Sequence, residues 1–152
     1  MILASMVRYL LMIALGIFMF ESPAVQASTN RVLVIERSST QVSVAKATLT
    51  IAPLVRNGTT FAGKYEMKVN PFFFKGETGE LEIVVSDDSL AKAKKGEEVE
   101  ITGTALTHGE NTKRKVNARA TPSGKDCGAL KVWFVADGRE MVFQTSYKLL
   151  EQ

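Results

Sequence analysis

The sequence predicts an all-β fold, with seven or eight mainly antiparallel strands in a sandwich or a small barrel and one short helix at about residues 87–95. Short stretches in which apolar and polar residues alternate recur along the chain. Turn-forming pairs, Asn57-Gly58 and Asp137-Gly138, lie between such stretches. The 152 residues are 45% hydrophobic, which suffices for one domain with a core. Regular short strands joined by hairpins are typical of sandwiches and barrels.

Residues 1–27 have the pattern of a secretory signal peptide. Arg8 precedes an uninterrupted apolar run from Tyr9 to Phe20, and Val25 and Ala27 suit cleavage after Ala27. The run is shorter than the roughly 20 residues that a membrane span needs, so a retained anchor is the weaker alternative. We therefore expect residues 28–152 to form a single β domain that is secreted or periplasmic, with no stable membrane span after cleavage.

The charge balance argues against a nucleic-acid partner. The chain has 19 basic and 16 acidic residues and a net charge of +3, and charges of both signs are interspersed. The basic clusters are Lys92 with Lys94 and Lys95, and the run 113–115, which includes Arg114. We expect them at a solvated helix end and in a solvated loop, and contact with an anionic envelope polymer is the alternative.

Cys127 is the only cysteine, so no disulfide can form within the chain. A nucleophilic cysteine needs a base, and nothing in the sequence brings the sole histidine, His108, close to it. We expect a free thiol, with a disulfide between chains as the alternative.

The N-terminal half predicts a short strand at 31–36 and a longer one at 42–55. In the longer strand Ala45, Ala47, Leu49 and Ile51 share one face, and Pro53 interrupts it. Asn57-Gly58 then suits a two-residue turn, because both residues tolerate positive φ. The strand from Phe61 to Val69 should therefore pair with the one before the turn.

The densest apolar pattern outside the N-terminus lies at 65–85, where we predict a hairpin with a loop from Lys75 to Gly79. This register places Phe73 in the core, opposite Leu81. Phe72 and Phe74 point to the other face, where a solvated strand is normally polar. One interpretation is that a second layer or the chain's own N-terminal segment covers these rings, and the other is an exposed aromatic binding surface.

The helix follows this hairpin, where Ser86 or Asp87 can cap its first turn and Gly96 can end it. Leu90 and Ala93 share its apolar side, so we expect the helix to plug one end of the β structure.

Two further hairpins complete the chain. The first, from Val99 to Ala120, has an unusually slim inner face that bulky residues such as Phe73 or Phe143 would fill. In the second, the Asp137-Gly138 turn places Phe134 opposite Met141 and Val132 opposite Phe143. The outer face of that hairpin carries Trp133, Val135 and Val142.

The sequence contains no glycine-rich phosphate loop, no His or Cys set with metal-ligand spacing and no serine-based catalytic motif. We therefore predict no cofactor and no metal, and a non-enzymatic exported binding or envelope-associated module. Its candidate binding residues are Phe72, Phe74 and Trp133, and its partner would be an unknown protein, an envelope polymer or a small apolar ligand. A barrel that binds a small apolar ligand is the alternative function. A hydrolase is a third hypothesis and requires carboxylates that share a cleft with His108.

Overall fold

The computed structural model describes residues 30–136 and 138–152, and these residues form the all-β fold that the sequence predicts. The predicted signal peptide, residues 1–27, lies outside the described residues. The elements in chain order are β1 (Arg31–Ile35), β2 (Ser38–Val42), β3 (Ala45–Ile51), β4 (Leu54–Asn57), β5 (Thr60–Asn70), a 3-10 turn (Phe73–Lys75), β6 (Glu77–Val84), α1 (Asp87–Lys94), β7 (Val99–Thr107), β8 (Lys113–Pro122), β9 (Cys127–Ala136) and β10 (Arg139–Glu151).

Eight antiparallel strands close into a barrel, in the order β5-β4-β1-β10-β9-β8-β7-β6, and β6 pairs back to β5. β2 and β3 are additional strands that pair with each other, and β3 also pairs with β5. Closure depends on the two ends of the chain, because β1 pairs with β10 and Leu33 lies opposite Leu149. Of the two predicted architectures, the structure therefore has the barrel.

Pro53 marks a shift of register along one edge of β5. On one side of it Ile51 pairs with Tyr65, and on the other side Val55 pairs with Ala62, which is an offset of one residue. Proline has no N–H to donate to a strand ladder, so the pairing with β5 is interrupted at Pro53, as predicted. The predicted pairing of this region with the strand beyond Asn57-Gly58 is confirmed.

The connections alternate between the two ends of the barrel because consecutive strands are antiparallel. The end with the β2–β3, β5–β6, β7–β8 and β9–β10 connections is termed the open end. The opposite end, termed the closed end, has the first and last described residues, and the Gln152 N–H donates to the Asn30 carbonyl at 2.9 Å.

Helix α1 covers the closed end, as predicted. Leu90 and Ala93 pack against the core. The Ser89 N–H donates to Ser86 Oγ at 3.1 Å, which caps the first turn. Arg56 Nη2 donates to Asp87 Oδ1 at 2.8 Å and fixes the start of the helix to the barrel. No helix in residues 30–136 and 138–152 is long and apolar enough to cross a membrane.

Inward-facing side chains fill the barrel between its centre and α1. Phe61, Phe134, Phe143 and Leu54 are fully buried. The last hairpin has the predicted register, with Phe134 opposite Met141 and Val132 opposite Phe143. The slim hairpin also pairs as predicted, with Val99 opposite Ala120.

The predicted register of the central hairpin is wrong. β5 ends at Asn70 and β6 begins at Glu77, so that Gly63, and not Phe73, lies opposite Leu81. Phe73 is 76% exposed on the 3-10 turn. The physical reason is that Pro71 cannot extend the ladder, and Phe61, Tyr65 and Met67 supply the inner face of β5 instead.

Replacing a buried and an exposed phenylalanine by alanine should show which of the two rings contributes to the stability of the core. We expect Phe143→Ala to lower the free energy of unfolding by about 3 to 5 kcal/mol, because it removes a fully buried ring and leaves a cavity. Phe73→Ala should change it by less than about 0.5 kcal/mol, since the ring is exposed. Urea denaturation of both variants and the parent would measure this, and equal losses would contradict the observed register.

Candidate functional site: a cavity at the open end of the barrel

A cavity of about 830 Å³, termed the mouth cavity, lies at the open end. Connections that meet at this end supply its upper walls, with Val44 from β2–β3, residues 72–76 from β5–β6 and His108 from β7–β8. At the closed end, the space between α1 and the barrel is only about 50 Å³. The barrel is therefore filled at one end and hollow at the other.

The cavity exists because the inward positions near the open end are small or polar. Farther down the same strands the inward residues include Tyr65 and Phe134, whose rings pack with centroids 5.6 Å apart. These rings close the barrel below the cavity. The small or polar inward residues above them are Ala45, Ala47, Thr107 and Ala136, and Met67 and Met141 complete the lower wall.

An ion pair between Glu77 and Arg114 forms part of the polar lining of the cavity. The two side chains are only 11% and 12% exposed. Arg114 donates from Nε and Nη2 to Glu77 Oε2 at 3.1 and 2.9 Å, and Nε also lies 3.2 Å from Oε1. Such a bidentate pair of hydrogen bonds makes a stronger interaction between a guanidinium and a carboxylate than a single bond does.

Tyr65 and Thr107 extend the ion pair into a network. The Tyr65 hydroxyl donates to Glu77 Oε1 at 3.0 Å and lies 3.3 Å from Thr107 Oγ1. Burial raises the pKa of Tyr65 to about 12, the bond to Thr107 opposes this change, and the negative charge of Glu77 adds to it. The hydroxyl thus stays protonated at neutral pH and keeps its bond to the carboxylate.

The sequence interpretation missed this network. It placed Arg114 in a solvated loop, which is wrong, because β8 begins at Lys113 and Arg114 shares the inward parity of Val116 and Ala118. Glu77 likewise shares the parity of Leu81 on β6. In the sequence, each of these charged residues occupies an alternate position in a series of inward-facing apolar residues. This pattern can be recognised only when the strand boundaries are known.

Phe72 and Phe74, two of the predicted binding residues, line the mouth cavity. Their rings pack edge to face with centroids 6.1 Å apart. Phe72 is half-buried and Phe74 is 82% exposed. The interpretation in which a second layer covers both rings is therefore wrong for Phe74, and the structure places this ring at the entrance of the cavity.

Trp133, the third predicted residue, lies on the outer wall of the barrel and not among the cavity residues. Its ring has Lys131 Nζ at 5.0 Å and the Arg119 guanidinium at 5.9 Å from its centroid. These cations partly cover the ring, which is half-buried. The structure thus brings Phe72 and Phe74 together and leaves Trp133 apart from them.

Three carboxylates, those of Glu66, Glu77 and Glu110, line the mouth cavity together with His108. Glu77 is bonded to Arg114, and Glu66 lies 3.3 Å from Lys68 Nζ. Two of the three carboxylates are therefore engaged in ion pairs. Within the described part of the chain, no group of three or more His, Cys, Asp or Glu side chains is placed to hold a metal ion. Cys127 is exposed at the start of β9, outside this cavity.

Comparison of the chain with protein-family models, with curated proteins and with solved structures finds no match. The barrel class is defined by the strand pairing alone, and the function has to be argued from the mouth cavity.

The raised pKa of Tyr65 predicts a particular pH dependence of stability. The folded protein favours the neutral phenol, so its contribution is complete below the ordinary pKa of about 10 and is lost as the pH rises through the folded pKa of about 12. We expect the free energy of unfolding to fall more steeply across this interval in the parent than in Tyr65→Phe.

Urea unfolding at pH values from about 8 to about 12 would measure the two slopes. The pKa of Tyr147 is also raised by burial, but this residue is common to both proteins and cancels in the comparison. Parallel curves for the parent and Tyr65→Phe would contradict the proposed role of the Tyr65 hydroxyl.

Proposed function

We propose that this protein is a binding module that takes up one small amphipathic molecule in the mouth cavity. The cavity volume of about 830 Å³ carries the proposal, because ligand sites for small molecules range from about 300 to 1,000 Å³ and often lie in the mouths of β-barrels. An up-and-down barrel filled at one end and hollow at the other supports the same function.

The cavity walls favour a ligand with both an apolar and a polar part. Met67, Met141 and Ala47 offer apolar contacts, and methionine adapts to irregular shapes. Lys68, His108 and Glu110 are exposed polar residues of the same lining and would lose water without compensation if a wholly apolar molecule covered them, and such desolvation is costly. The proposed ligand is therefore amphipathic and differs in this respect from the apolar ligand of the alternative function in the sequence analysis.

Of the three binding residues predicted from the sequence, only Phe72 and Phe74 belong to the proposed site. Phe72 and Phe74 stand at the entrance, where aromatic rings can contact the apolar part of an entering molecule. Trp133 has no part in it, because its ring lies on the outer wall between two cations.

Two fluorescent probes would test uptake: the neutral N-phenyl-1-naphthylamine and the anionic 1-anilinonaphthalene-8-sulfonate. The sulfonate makes the second probe amphipathic, whereas the first is almost wholly apolar, and both brighten in apolar surroundings. We expect saturable binding of the anionic probe to the parent, and weaker binding of the neutral one. Ala45→Phe places a ring in the cavity and should weaken binding by about tenfold or more, which corresponds to about 1.4 kcal/mol.

The matched control is Ala129→Phe, the same substitution at an exposed position of β9. It should bind like the parent, and thermal melts should show that both variants are folded. Absence of saturable binding to the parent, or equal affinity of both variants, would overturn the proposed site.

We also propose that the chain is exported and acts as a secreted or periplasmic protein after residues 1–27 are removed. The support is the charge, apolar run and cleavage pattern of that segment. A full-length chain with a C-terminal tag, expressed in its own host, should be recovered outside the cytoplasm. N-terminal sequencing should then give Ser28 as the first residue. Recovery of an intact Met1 in the membrane fraction would contradict cleavage and support a retained anchor.

A further inference from the structure

We propose that the open end of the barrel docks on membranes that contain anionic phospholipids, through an apolar rim formed by Val44, Phe73 and Phe74. These three side chains are 78%, 76% and 82% exposed. The other large apolar residues that the structure shows as exposed have values of 40% to 52%. The rim residues belong to two different connections and line one cavity, so they form a single feature of the open end.

Two of the backbone N–H groups beside the exposed rings are hydrogen-bonded within the 3-10 turn. The Lys75 N–H donates to the Phe72 carbonyl at 2.9 Å, and the Gly76 N–H donates to the Phe73 carbonyl at 3.1 Å. Backbone N–H groups that enter an apolar medium need hydrogen-bond partners within the protein, because no water is present there to bond to them. The turn can therefore enter the headgroup region without leaving these N–H groups unbonded.

The charges around the rim favour an anionic surface. The Arg114–Glu77 and Lys68–Glu66 pairs neutralise four of the charged residues that line the mouth cavity. The remaining charged residues of the lining are Lys75, Arg139 and Glu110, which leaves one positive charge in excess. Basic residues that flank an apolar tip are the usual arrangement of interfacial binding sites.

The charge beside the rim favours a membrane over a second copy of this chain. Two phenylalanines and one valine supply roughly 500 Å² of apolar surface. A second copy would bring the same positive side chains, Lys75 and Arg139, to the contact, whereas anionic headgroups complement them.

Docking would place the mouth cavity against the bilayer. An amphipathic molecule could then pass between the membrane and the cavity without exposure of its apolar part to water. The docking inference does not rest on the proposed cavity ligand, because it follows from the exposure and charge of the rim.

The test uses the chain from Ser28 onward, which contains every strand of the closed barrel and α1. It would be sedimented with vesicles of phosphatidylcholine alone and with vesicles that also contain about 30% phosphatidylglycerol. We expect stronger binding to the anionic vesicles. Phe73→Ser/Phe74→Ser should weaken this binding by about tenfold or more, equivalent to about 1.4 kcal/mol.

The matched control is Val55→Ser/Val84→Ser, which changes two exposed apolar residues on the outer wall near the closed end. It should bind vesicles like the parent. Lys75→Gln/Arg139→Gln should reduce the preference for anionic over neutral vesicles. Thermal melts would show that each variant is folded.

Equal vesicle binding by the rim variant and its control would overturn the inference, as would a parent chain that binds neither kind of vesicle. Gel filtration adds a further discriminating outcome. If the parent forms a dimer that Phe73→Ser/Phe74→Ser dissociates, the rim contacts a second copy and the membrane inference is wrong.

Discussion

The pairing of β1 with β10 is the constraint on which the rest of this structure depends. It joins residues from opposite ends of the chain, with Arg31 opposite Glu151 and Ile35 opposite Tyr147. Such a contact forms at a high cost in loop entropy, but it removes the free edges of the eight barrel strands. Without it, the inward side chains of the last hairpin would face water. Closure therefore creates at the same time the core, the two ends and the space at the open end.

An eight-stranded barrel is just wide enough for its inward side chains to fill it. Space for a ligand thus arises only where those side chains are small. Phe61 and Phe143 fill the lower part of this barrel, whereas Ala45 and Ala47 leave room near the open end. A single strand can serve both purposes, because β9 carries buried Phe134 below the cavity and Ala136 in the cavity wall. The residues that define the cavity are therefore few and lie close to the connections.

The Arg114–Glu77 pair shows how this end of the barrel departs from a simple core. A nearly buried ion pair usually contributes less to stability than apolar residues of the same size, since both charges lose water. Tyr65 offsets part of this loss by a further bond to Glu77, and its own high pKa keeps that bond in place. We interpret the pair as a feature that serves the cavity, where it supplies a polar surface for a ligand.

The sequence by itself determined features that depend on neighbouring residues: most of the strands, the Asn57-Gly58 turn, the register of the hairpin from Leu130 to Tyr147 and the start of the helix at Ser86 or Asp87. Alternation and turn chemistry are local, so they can be read along the chain. Only the tertiary structure decided that the sheet closes, that Phe73 leaves the core, that Arg114 turns inward and that Trp133 lies apart from Phe74. The physical reason is that alternation assigns residues to two faces of a strand, whereas the pairing register and the closure of the barrel decide which face lies inside.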